Sequence, residues 1–289
     1  MASSTLIPSH PLAREAPARR PQSQWSLVLR QLRRNRGALV GLAIIIFMVV
    51  VAFAAPLIAP YDPLEQVVAD ALKPPSPEHL FGTDDVGRDM LSRIIYGGQI
   101  TLRVGLISVT IAGTVGTILG ILAGFYGGWL DTLIMRLIDI LLAFPGLLLA
   151  LTIIAILGPG LFNVMIAVGI GGIPSYTRVA RGTTLTVRER DYVMSGRVTG
   201  CSDLRIMFRY ILPNVLPPLI VLATVGVAGA ILTAAGLSFL GLGAQPPTPE
   251  WGSMLTNGRT YLRQAWWFTM FPGLAVMVTV LAINMFGDG

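Results

Sequence analysis

The sequence predicts an all-α integral membrane protein with six transmembrane helices. Three observations carry that prediction. Of its 289 residues, 53% are hydrophobic and only 12% charged, about half the charged share of a soluble domain. Mean hydropathy is +0.69. The apolar residues gather into runs, and a helix needs roughly 20 of them to cross a bilayer.

Residues 1–24 are rich in Ser, Pro, Ala and Arg, a composition that predicts a disordered tail. They are no secretory signal, because the first apolar run begins too late and lacks a small-residue cleavage pattern. Over residues 25–37, Trp25, Leu27, Val28, Leu29 and Leu32 interleave with Arg30, Arg33, Arg34 and Arg36. That pattern fits an amphipathic helix at the membrane surface, its arginines toward lipid headgroups. A plain charge cluster that stops transfer fits it equally.

The six runs are residues 38–59, 102–126, 133–157, 161–176, 215–240 and 267–286. Residues 60–100 form a long loop after the first, and residues 101–289 a core of five helices. The second run carries Ala112, Gly116, Gly120 and Gly124 four apart, so one face can pack closely on another helix. Phe144-Pro145-Gly146 predicts a kink in the third, since proline removes a backbone bond. Arg136 and Asp139 lie three apart there and fit a pair along the helix.

Charge sets the orientation. Arginines crowd the tail before residue 38 and the loop after the fourth run, whereas residues 60–100 carry Lys73, Arg88 and Arg93 against a larger number of acids. The positive-inside rule therefore predicts both termini and the loop 177–214 in the cytoplasm. The net charge of +6 is spent in this way, which removes nucleic acid as a partner. Cys201 is the sole cysteine, so no intramolecular disulfide forms.

Within the loop, Arg188, Arg190, Arg197, Arg205 and Arg209 flank Gly200. Ser202 or Asp203 is placed to cap a short helix beginning near Leu204. Leu204, Met207, Phe208 and Ile211 then share a stripe, and Leu212-Pro213-Asn214 is expected to end that helix before the fifth span. This stretch resembles the cytoplasmic loop of ABC importer permeases, whose motif reads EAA, three residues, Gly, then about a dozen residues to Leu-Pro. Gly200, Leu212 and Pro213 match it, while the EAA positions read Met194-Ser195-Gly196. The family's glutamate contact to an ATPase therefore does not carry over to Met194; Ser195 and Gly196 remain small enough for a partner's groove. Leu204, Met207 and Phe208 are expected to give apolar contacts to that partner or to the foot of the spans.

After the first span the chain reads FGTDDVGRDMLSR from Phe81. This resembles the FGTDxxGRDxLSR signature of the C-type permease subunit of dipeptide, oligopeptide and nickel ABC importers. Asp84, Asp85, Gly87, Arg88 and Asp89 form a turn, read as locally salt-bridged rather than substrate-binding. The segment SFLGLGAQPPTPEWGSML from Ser238 resembles the same family and reads as a folded loop at the outer mouth. The likeness covers residues 25–289, and family members usually continue with a short tail beyond this point.

The chain lacks the Gly-x4-Gly-Lys-Ser/Thr loop that cradles nucleotide phosphates. No Cys/His/carboxylate cluster has metal-ligand spacing, and no serine sits in a nucleophile elbow. The resemblance implies type I ABC importer permease architecture in a bacterial inner membrane. It implies pairing with a homologous second permease, two cytoplasmic ATPase subunits that hold ATP and Mg, and an external solute-binding protein. No cofactor is expected in this chain, and the solute stays open among dipeptides, longer peptides, nickel complexes and glutathione. The alternative is an ion- or proton-coupled secondary transporter; the midspan acids and histidines that coupling usually needs are absent.

Overall fold

The computed structural model describes residues 35–287. The tail 1–24 and nearly all of the expected surface helix 25–37 lie outside the described residues. Nine principal helices follow among the described residues: α1 (Arg36–Phe53), α2 (Met90–Tyr126), α3 (Gly128–Ala143), α4 (Gly146–Leu157), α5 (Leu161–Arg188), α6 (Asp191–Val198), α7 (Asp203–Phe239), α8 (Trp251–Gly258) and α9 (Trp267–Gly287). One further turn of helix, Ala55–Ile58, extends α1.

Three of the helices open on a side-chain cap. The Asn35 side chain accepts the Ala38 N–H at 3.2 Å and opens α1. Asp89 does the same for α2, accepting from Ser92 N–H at 2.8 Å, and Glu250 for α8, accepting from Gly252 and Ser253. Such caps satisfy N–H groups that the helix leaves unpaired. At the far end of α2, Gly127 and Gly128 both take positive φ and reverse the chain into α3.

Three helices run past the apolar boundaries that hydropathy suggests. α2 begins at Met90 rather than near 102, α5 continues to Arg188 rather than ending near 176, and α7 begins at Asp203 rather than near 215. Helical hydrogen bonding does not stop where lipid stops. The expected break at Leu212-Pro213-Asn214 is not there: Met207–Ile211 widens into a π turn, which accommodates the donor that Pro213 lacks, and the helix continues. The third run, in contrast, breaks outright. α3 and α4 meet at 94° across Phe144-Pro145, far beyond an ordinary proline kink.

Four helices, α1, α2, α7 and α9, are individually long and apolar enough to cross a membrane, and the bent pair α3–α4 is so only when its two arms are taken together. α5, expected as the fourth span, is long enough but is diluted by Asn163, Pro174, Arg178, Arg181 and Arg188. It is the central helix, packed along α2. A Cβ on Gly116 would come within 2.6 Å of the Tyr176 Cβ, one on Gly120 within 2.5 Å of the Thr177 carbonyl, and one on Gly124 within 2.7 Å of Thr184. The two backbones thus approach as closely as small residues allow, which is what holds helices together where lipid gives no hydrophobic drive. α1 lies at the periphery, with Gly41 against the Ala282 carbonyl of α9 and Ile46, Phe47 and Val50 exposed.

Gly120→Val is expected to cost about 1–3 kcal/mol through overpacking and to lower the thermal unfolding midpoint in detergent. Gly171→Val, where a Cβ meets nothing within 4 Å, should leave that midpoint unchanged. Equal effects at the two positions would show that close α2–α5 approach is not what stabilises the bundle.

Candidate functional site

The residues singled out by sequence fall into two places at opposite ends of α2. At its start is the turn 81–89. The Asp84 carboxylate accepts the backbone N–H of Val86 at 3.0 Å and of Arg88 at 2.9 Å, and the Arg88 Nε–H at 2.6 Å. Arg93 Nε stands 3.5 Å from it. Gly87 has φ +80°, and a Cβ there would collide with the Val67 carbonyl. Asp89 gives one oxygen to Ser92, and its other lies 3.0 Å from His79 Nδ1. Asp89 therefore pairs with a histidine and a helix terminus, not with an arginine of the turn. Asp85 is half-buried; burial, with the Asp84 charge beside it, raises its pKa.

The turn also ties distant elements together. Trp267 Nε1–H donates to the Thr83 carbonyl at 3.1 Å and Trp251 Nε1–H to the Ile94 carbonyl at 2.9 Å. Arg93 Nη1–H donates to Pro63 at 2.8 Å. The carboxylates of Asp84 and Asp89 and the Nε–H of Arg88 are thus spent on protein partners. Sequence reasoning missed His79, Arg93 and Glu250. Glu250 is buried and its pKa is raised by that burial, against the opposing hydrogen bonds from Gly252 and Ser253. A carboxylate directly before a tryptophan after three prolines was the available signal.

At the other end of the bundle, α6 and α7 meet at Gly200, whose φ is +79°. Ser202 occupies the N-cap position of α7, Asp203 its first turn, and neither makes the expected side-chain capping bond. The expected stripe divides. Ile206, Met207 and Ile211 are buried against Val193 and Val215, whereas Leu204 is 63% and Phe208 68% exposed. Met194 and Ser195 are exposed, but Gly196 is buried and faces Tyr210 of the same chain, so it is not open to a groove on a partner. Leu212 is half-buried and Pro213 exposed within α7. Tyr192, Met194, Val198, Leu204 and Phe208 remain as exposed apolar side chains, with Arg190, Arg197, Arg205 and Arg209 exposed among them.

Cross-helix bonds fix this end. Arg181 holds Asp131 of α3 by two bonds of 2.5 and 2.6 Å, and Arg188 donates to the last turn of α2 at Gly124. Asp139 pairs with Arg178 of α5 at 2.8 Å, not with Arg136 on its own helix. The bundle packs α5 across that face, and a partner across the contact wins over one along the helix.

Sequence reasoning did not reach a third feature. A cavity of about 310 Å³ opens among α2, α4, α5 and α7, lined by Ser108, Gly146, Gly171, Ser175, Tyr176 and Thr233 among others. Gly146, Gly171 and Gly229 on its wall have no neighbour within 4 Å of an added Cβ. It lies beside the α3–α4 break. The proline that makes the break was visible in the sequence; which faces converge on it was not. Among the described residues no group of His, Cys, Asp and Glu is placed to hold a metal ion.

Residues 116–289 match the family described as binding-protein-dependent transport system inner membrane component. Residues 23–75 match the N-terminal transmembrane domain of oligopeptide transport permease C. The chain is 48% identical to a dipeptide transport system permease protein of Alkalihalophilus pseudofirmus, covering 92% of this chain and 88% of that one. It is 49% identical to a di/tripeptide transport system permease protein of Pseudomonas aeruginosa, over 95% and 94% of the two chains, and 45% identical to a glutathione transport system permease protein of Shigella boydii, over 98% and 93%. Among solved structures, an inward-facing MetNI methionine ABC transporter aligns with a TM-score of 0.56 at 19% identity, over 69% of this chain and 94% of that one. That alignment bears on the fold.

Asp84→Asn should destabilise the chain by about 3–5 kcal/mol, because it leaves Arg88 and Arg93 buried without their carboxylate. Amide hydrogen exchange should rise across both residues 60–93 and the start of α9, which the turn joins. Exchange confined to the turn would show that it organises only itself.

Proposed function

The chain belongs to the family of binding-protein-dependent transport system inner membrane components, and from that premise we propose that it works as follows. It is a multi-pass inner-membrane permease subunit of an ABC importer for peptides, as its relatives' names indicate. It encloses the translocation path with a second, homologous permease. Hydrolysis of ATP takes place on separate subunits with Mg, and an external binding protein delivers the solute. Both termini and the Arg-rich end of the bundle face the cytoplasm, where positive charge is retained. Family membership removes the support for an ion-coupled secondary transporter.

The observation that carries the coupling role is the exposed apolar patch on α6 and α7. Apolar side chains ringed by arginine suit a protein partner, since interface cores are apolar and their rims polar. The glutamate position of the family motif is Met194, so apolar contact takes the place of a charge here. α7 begins inside the patch and continues to Phe239, so a shift imposed on Leu204 and Phe208 travels along one helix past the cavity wall.

Two measurements test this reading. Phe208→Ala should weaken ATPase co-purification about 30-fold, the equivalent of about 2 kcal/mol for one apolar anchor. Gly200→Arg should abolish coupling because a side chain is strained at φ +79°, and Met194→Ala should be milder. Full uptake with Gly200→Arg would remove the role. Separately, a Ser76→Cys variant should react with a membrane-impermeant thiol reagent in intact cells; reaction only after permeabilisation would invert the topology.

A further inference from the structure

Two ion pairs join α3 to α5, and they differ in kind. Asp131 and Arg181 share two bonds and are mostly covered, their side chains 18% and 31% exposed. Asp139 and Arg178 share one bond of 2.8 Å, and their side chains are 58% and 54% exposed. The first pair suffices to seat α3 on α5. A pair as open as the second contributes little to stability. It also keeps bonding capacity unspent: Nε and Nη1 of Arg178 and Oδ2 of Asp139 make no hydrogen bond among the described residues.

The second pair lies at a depth where such exposure needs a reason. Arg178 belongs to the stretch of α5 that packs on Gly116 and Gly120 of α2, where added Cβ atoms would meet Tyr176, Thr177 and Ala180. Those glycines stand about 15 and 9 Å short of the end of α2 at Tyr126, by the rise per residue, in a run without charge from Val104 onward. Charges at the level of an apolar span face protein or water rather than lipid. The helix that carries Arg178 shows which. Gly171, Ser175, Arg178 and Gly182 recur at helical spacing on the side of α5 opposite Ile173, Thr177, Ala180 and Thr184. A Cβ on Gly171 or Gly182 would meet nothing within 4 Å. Gly171 and Ser175 also line the cavity beside the α3–α4 break. An open, polar stripe therefore leaves that cavity, reaches Arg178 one turn later, and continues toward the Arg-rich end.

We propose that Asp139 and Arg178 form a subsite for the charged ends of a peptide passing from the cavity toward the cytoplasm. The guanidinium takes the α-carboxylate, which its planar fork fits, and the Asp139 carboxylate takes the α-ammonium. Joined to each other the two side chains are neutral as a pair. A zwitterion replaces that one pair with two, so neither charge is left bare during the exchange. The substrate class is peptides with both termini free. The subsite rests on the transport reading above, which supplies the peptide and the path.

Thiol labelling tests it, on the assembled transporter in nanodiscs, without nucleotide, with Ser175→Cys as reporter in a Cys201→Ser background. A charged, water-soluble thiosulfonate should label the reporter, and alanyl-alanine in excess should slow that labelling about fivefold by occupying the subsite. The same dipeptide acetylated at one end and amidated at the other should not protect. Arg178→Gln or Asp139→Asn should abolish protection, and Arg178→Lys should keep part of it. Arg178→Gln should leave the thermal midpoint of the complex unchanged, whereas Asp131→Asn, which breaks the covered pair, should lower it. No labelling of the reporter would show that the stripe is not in water and would overturn the proposal. Equal protection by the free and capped dipeptides would do the same, as would protection retained with Arg178→Gln. If Arg178→Gln instead releases the second permease, the pair serves that contact and the subsite is refuted. Uptake by the same complex separates the two readings: no ATP-driven uptake by the unaltered complex would sink the transport reading, whereas normal uptake with Arg178→Gln and unchanged protection would sink only the subsite.

Discussion

The close approach of α2 and α5 is the constraint on which the rest depends. In lipid, apolar side chains gain little by meeting one another, so helices associate where backbones can come near. Gly116, Gly120 and Gly124 provide that on α2, and Tyr176, Thr177, Ala180 and Thr184 of α5 fill the space. With α5 fixed there, Arg178 and Arg181 are presented to α3 and Arg188 to the end of α2. The same contact holds Tyr176 at the cavity wall, where Gly226 of α7 leaves room for its hydroxyl. One packing decision thus sets both the ion pairs and the cavity.

Much of this was legible in the residues themselves. The four-residue spacing on α2 announced a packing face, and the structure uses it as one. Phe144-Pro145-Gly146 announced a discontinuity, though not that it would reach 94°. The limit was set by what hydropathy measures. It reports apolar runs, so it left out the start of α2, where Met90, Ser92, Arg93 and Ile95 are buried in protein, and the helical extensions of α5 and α7 beyond those runs. α5 falls short of the apolarity of the other spans, because a helix covered by protein carries polar residues that an exposed span does not.

Side-chain partnership was the other blind spot. Asp139 was assigned to the arginine three residues before it; the structure gives it Arg178, far along the chain. Asp89 was read as part of a locally salt-bridged turn, and the partner the structure gives it, His79, lies outside the residues named for that turn. Leu204, Met207, Phe208 and Ile211 shared one stripe in the sequence, and the structure divides it, burying Met207 and Ile211 and leaving Leu204 and Phe208 exposed. These details have one origin: sequence spacing ranks neighbours along one element, while the fold chooses among neighbours from several.

The two kinds of helix in this bundle divide mechanical roles. α7 keeps its axis through Pro213, Pro217 and Pro218, joining the exposed patch at one end to the α8 contact at the other, where Thr256 donates to the Ser238 carbonyl. The α3–α4 pair does the reverse and gives up continuity at one proline. α7 and α4 both line the same cavity, one as an unbroken wall and one as a wall that begins at the break. Open glycines at Gly146 and Gly229 flank the two, so relative movement meets no side chain of this chain within 4 Å of either Cβ position. A bundle made only of unbroken helices would resist a push at α6, and one made only of broken helices would absorb it. On the coupling role proposed above, the combination would turn displacement at the Arg-rich end into a change in cavity shape.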